Sequence, residues 1–138
     1  MDSTPIADQA QKIIRNASND ILTPLKGECV LCFTHRQLGQ FGCHNTLRFA
    51  LAYRDLVAPR ATALDRRLGA KGGYCDCEIF LNAYQPVRRL WSPERKVWSE
   101  AGGEEFIDAM PPEHMPACAG IRTGSTQPCA HWGPVIHW

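Results

Sequence analysis

Two thiols separated by a single residue, Cys75 and Cys77, open the apolar run of the stretch Gly72-Gly73-Tyr74-Cys75-Asp76-Cys77-Glu78-Ile79-Phe80-Leu81-Asn82. If Tyr74 to Ala83 is a strand, side-chain alternation puts both thiols on one face and Asp76 and Glu78 on the other. Two thiolates one pleat apart can reach the same soft cation. Cys29-x-x-Cys32 and the adjacent Cys43 and His44 offer enough further donors to complete a tetrahedron. The chain therefore reads as a small zinc-binding domain with Cys75, Cys77, Cys29, Cys32, Cys43 and His44 as candidate ligands of Zn2+. Six candidates exceed four places, so either two of them are not ligands or a second ion is present.

At 138 residues the chain has room for one modest core. Seven cysteines cannot all pair within the molecule, and the first ten residues carry no basic segment followed by an apolar one, so reduced thiols in a soluble cytoplasmic protein are expected. No apolar run reaches the length of a membrane span. Clustered thiols in a reducing compartment favour metal ligation over nucleophilic chemistry.

Taken in order, Ile6, Ala10, Ile13 and Ile14 recur at helical spacing behind Pro5, predicting an N-terminal helix within residues 1–24. Residues 25–100 are expected to form the zinc-binding α+β core, and residues 101–138 a Pro/Gly-rich tail. Within the core, Leu25 to Leu38 reads as a turn-rich segment. A helix is expected to open at Cys43 and end at Pro59. A shorter one runs from Pro59 or Ala61 to Leu68 with Gly69 as its cap. Pro86 to Trp98 reads as two short strands about the turn Ser92-Pro93-Glu94. The fold class is thus α/β in the α+β sense, two or three helices packed on a short sheet or hairpin. In the tail, His114, Cys118, Cys129 and His131 could build a second zinc site, against a surface-lying tail anchored by Trp132 and Trp138.

The pattern Cys43-x-x-Thr46-Leu47-Arg48, followed by a helix and then the Gly72 to Asn82 motif, resembles the bacterial family of small uncharacterised proteins called domain of unknown function 2695. The similarity runs from about Cys29 to Tyr84. It implies a compact α/β unit with a metal site and no assigned activity.

The formal net charge is +1, yet between Cys29 and Trp98 eleven Lys or Arg face five acids. Arg88, Arg89, Arg95 and Lys96, interleaved with Trp91 and Trp98, supply the charge and stacking surfaces used on single-stranded nucleic acid. The alternative is that these aromatics close the core edge. The favoured function is a structural zinc domain whose surface binds a protein or nucleic-acid partner, with no membrane role. A thiol redox sensor or metal carrier is the first alternative. A zinc hydrolase ranks below it: no His-x-Glu precedes the Cys pair, and on a strand Glu78 faces away from the metal.

Overall fold

The computed structural model describes residues 23–136, so the expected N-terminal helix lies outside the described residues. Helix α1 spans Val30–Phe41. Its N-cap is Cys29, in extended conformation, whose Sγ accepts the backbone N–H of Cys32 at 3.3 Å. Val30, Phe33, Thr34 and Gln37 recur at helical spacing and are buried. The segment expected to be turn-rich is therefore mostly helix, because a thiol can take the capping place that a hydroxyl usually fills.

Helix α2 spans Arg48–Val57 and buries Phe49, Ala50 and Tyr53. It packs on α1 through Phe33 and Tyr53, with ring centroids 5.8 Å apart, and the Tyr53 hydroxyl donates to the Glu28 carbonyl at 2.7 Å. The helix expected to open at Cys43 begins five residues later, and Cys43 to Thr46 form a loop in which Asn45 adopts φ 63°. Helix α3 spans Leu64–Ala70 and turns Leu64 and Leu68 inward. Gly69, the expected cap, lies inside it. The helix is closed by Gly72 and Gly73, whose N–H groups bond the carbonyls of Gly69 and Leu68.

The expected strand from Tyr74 to Ala83 is instead helical: α4, Asp76–Glu78, runs into a π-helical turn, Ile79–Ala83. Burial follows the winding. Ile79 and Ala83 are buried whereas Leu81, which a strand would place beside them, is 70% exposed. Asp76 explains the change. Only 1% exposed, it accepts the N–H of Phe49 at 2.9 Å and of Ala50 at 3.2 Å, so its carboxylate caps α2 in place of Leu47, which offers no side-chain acceptor. Its own N–H bonds the Thr46 carbonyl at 3.0 Å. The sharp reversal before α4 needs both glycines. A Cβ on Gly73 would stand 3.2 Å from Ile79 Cγ1, 3.3 Å from Ile79 Cα and 3.3 Å from the Leu68 oxygen. We expect Gly73→Ala to lower the midpoint of chemical unfolding by the equivalent of about 1–3 kcal/mol, the usual cost of overpacking.

Strand β1, Tyr84–Pro86, leaves the π-helical turn, and a 3-10 turn, Arg88–Leu90, follows it. Strands β2, Arg95–Trp98, and β3, Glu104–Ile107, form an antiparallel hairpin. The expected pairing within Pro86 to Trp98 does not occur. Instead β1 pairs antiparallel with β4, Trp132–Pro134, in the register Tyr84↔Pro134 and Pro86↔Trp132. The result is an α+β fold with two small antiparallel sheets. Its core joins α1, α2 and α3 to Ile79, Ala83, Cys129 and Trp132, so the far end of the chain is packed against the first helix.

Candidate metal centres

Two groups of thiols converge among the described residues: Cys29, Cys32, Cys118 and Cys129, and separately Cys43, Cys75 and Cys77. Within each group the sulfur atoms lie within 4.8 Å of one another. Both groups are so arranged that they could bind metal.

The four-thiol centre begins at the N-terminus of α1, where the capping geometry brings Cys29 and Cys32 to one side. Its other half comes from the C-terminal segment. The Ile121 N–H bonds the Gly27 carbonyl at 3.1 Å and the Val87 N–H bonds that of His131 at 2.9 Å, which lays this segment beside α1 and β1. Cys32 and Cys129 Sγ stand 3.7 Å apart. Four sulfurs bound tetrahedrally at ~2.3 Å would be separated by roughly 3.8 Å, so this spacing fits one shared ion. The thiols also receive the donors that ligating thiolates need. Cys118 Sγ accepts from the N–H of Cys29 at 3.3 Å and of Gly120 at 3.4 Å, and Cys32 Sγ from Trp132 Nε1 at 3.3 Å.

Protons are shared unevenly here. Its hydrogen bond with Cys32 draws the Cys29 thiol down to about 5, while the same bond, together with burial, pushes Cys32 up. The pair thus gives up its first proton readily and holds its second, which an arriving cation would displace. An aromatic collar shields one side of the centre, with the Phe80 and Trp132 centroids 5.1 Å apart and His35 5.3 Å and 5.5 Å from them. Burial lowers the pKa of His35, keeping it neutral. A groove of about 600 Å³ borders the centre, with Cys32, His35, Cys118 and His114 among its walls.

The three-thiol centre is built from the loop before α2 and the start of α4. Cys75 and Cys77 Sγ are 3.3 Å apart although they do not lie on a strand, because the N-cap and second residue of a helical turn bring them together. Asn45 N–H bonds Cys43 Sγ at 3.4 Å. Burial, joined by hydrogen bonds with Cys77 and Cys43, pushes the Cys75 thiol up to about 12. On a strand, alternation would turn Glu78 away from the metal. The helical turn removes that constraint, although Glu78 is not part of the group of converging side chains.

The candidates read from the sequence are thus divided between two centres. Cys29 and Cys32 join Cys118 and Cys129, and Cys75 and Cys77 join Cys43. His44 is exposed and belongs to neither, and neither His114 nor His131 enters a cluster. From the sequence, Cys118 and Cys129 could join these histidines in a separate tail site or lie in a surface tail, and the structure instead brings them to Cys29 and Cys32. No local spacing links them to Cys29 and Cys32.

No curated protein and no solved structure matches the chain. Residues 30–82 match the model of a family described as "Protein of unknown function (DUF2695)". This segment holds all of the three-thiol centre but only Cys32 of the four-thiol centre. The segment similar to that family therefore runs from the start of α1 into the π-helical turn.

Proposed function

We propose that this is a zinc protein whose metal is structural, bound by Cys29, Cys32, Cys118 and Cys129. The observation that carries this reading is the convergence of four thiols from opposite ends of the described chain, all within 4.8 Å of one another and with Cys32 and Cys129 3.7 Å apart. Four protein ligands leave no place for a reacting water, so the ion acts on folding. Zinc rather than a hard cation is favoured by an all-sulfur donor set. Its withdrawal tests the reading. Incubation with a strong chelator should collapse the far-ultraviolet circular dichroism, and returning zinc should restore it. An unchanged spectrum after demonstrated metal removal would contradict a structural role.

The same reading places the working surface on the β2–β3 hairpin. Lys96 pairs with Phe106 and Trp98 with Glu104, so these four side chains share one face, on which Trp98 is 78% exposed. Trp98 therefore does not close the core edge. Trp91 is differently placed: its Nε1 donates to the Pro86 carbonyl at 2.8 Å and the Arg88 guanidinium lies 3.9 Å from its ring, while Arg89 reaches the Ala130 carbonyl. Arg88, Arg89 and Trp91 thus serve the fold, and Lys96 and Trp98 remain on that face for a partner, with Arg95 on the opposite face of the hairpin. For a single-stranded nucleic acid, Trp98→Ala should remove about 1–3 kcal/mol of affinity and Lys96→Glu should flatten its salt dependence, both by fluorescence anisotropy. Equal binding by both variants and the parent would exclude this partner class.

A further inference from the structure

We propose that Cys43, Cys75 and Cys77 form a second metal site, distinct from the structural centre, which holds a thiophilic d10 cation exchangeably through three protein thiolates and one ligand from outside.

The three sulfurs are gathered by the same contacts of Asp76 that cap α2. Asp76 stands between the two paired cysteines. By binding Thr46 through its N–H and Phe49 and Ala50 through its carboxylate, it locks the Cys43 loop against the start of α4. Asn45, at φ 63°, turns the loop so that its N–H meets the Cys43 sulfur. Three thiols drawn within 4.8 Å by a buried carboxylate and a positive-φ turn form a preorganised donor set. Its composition selects soft ions such as Zn2+ or Cu+ over Mg2+ and Ca2+.

The contrast with the four-thiol centre argues for exchange. No fourth His, Cys, Asp or Glu among the described residues joins the group, so the protein leaves one place of a tetrahedron open. Cys43 and Cys77 are partly exposed, and none of the three cysteines lines the groove beside the four-thiol centre. Among the described residues, the aromatic collar and indole donor of the four-thiol centre have no counterpart here. An incoming thiol can take the open place before any protein ligand departs, which gives a low-barrier route for passing the ion on. No electron is transferred and no covalent bond to carbon is made, because one thiolate replaces another at the ion.

The test compares the zinc-loaded parent with Cys43→Ser and Cys77→Ser, chosen because neither residue caps a helix. We expect two ions per parent chain. One of them should pass to 4-(2-pyridylazo)resorcinol with the circular dichroism unchanged. Each variant should remain folded and weaken that labile ion by more than about 100-fold, beyond what an outer ligand change produces. Titration with Cu+ under bicinchoninate competition distinguishes the two ions: displacement of the labile zinc assigns the site to Cu+, and retention assigns it to Zn2+. A parent with no labile ion, or a labile ion unaffected in both variants, would overturn the proposal. Failure of the structural centre would look different, since the fold would then survive removal of every ion while the labile site still depended on Cys43 and Cys77.

Discussion

Replacing Cys118 and Cys129 by Ser is expected to unfold the chain rather than merely weaken it. These residues supply half of the four-thiol centre, and Cys129 is also buried in the core beside Trp132. Structural zinc in small domains carries ~10–16 kcal/mol of apparent binding energy, comparable to or larger than the ~5–15 kcal/mol by which a whole domain is stable. Losing the ion should therefore release the C-terminal segment, open the β1–β4 pairing and expose α1. The expected observation is loss of the cooperative thermal transition in the double variant. Cys43→Ser, in the other centre, should keep that transition, which separates loss of the structural ion from a general intolerance of serine.

The second large effect is expected at Asp76, whose role is to terminate a helix that it does not belong to. Burial pushes its pKa up, while the N–H groups of Phe49 and Ala50 and the charge of Arg48 pull it back. Asp76→Ala would leave two buried amides without an acceptor, at about 1–3 kcal/mol each, for a total loss of about 2–6 kcal/mol. Asp76→Asn keeps one acceptor oxygen and should lose roughly half of that. Urea unfolding followed by fluorescence would measure both. The alanine variant should also free the Cys43 loop, so that the Cys43 thiol reacts faster with a disulfide probe than in the parent. Equal stability of Asp76→Ala and the parent would refute the capping role.

The family resemblance, the α+β class and a cysteine-rich centre were all legible in the sequence, because thiol spacing and the Gly-Gly-Tyr-Cys-Asp-Cys-Glu run are local signals. The form of that run was not. Ile79, Leu81 and Ala83 read equally well at period two, and only the burial of Asp76 at the start of α2, a contact across 27 residues, makes the winding helical. A signal was nevertheless present: Cys75 and Glu78 stand where a capping box has its hydroxyl and its carboxylate. The same substitution of thiol for hydroxyl hid the start of α1 at Cys29. The pairing of Cys29 with Cys118 and of Cys32 with Cys129 spans 89 and 97 residues and leaves no trace in local spacing. His44 shows the converse, since its neighbour Cys43 enters a centre and it does not.

X-ray absorption at the zinc edge, recorded on the chain carrying Cys43→Ser, Cys75→Ser and Cys77→Ser, bears most directly on the central claim, because only the four-thiol centre then remains. The proposed structural role predicts one tightly held zinc per chain with four sulfur neighbours at ~2.3 Å. A sample without stoichiometric zinc, or a zinc with nitrogen or oxygen neighbours in place of sulfur, would contradict it.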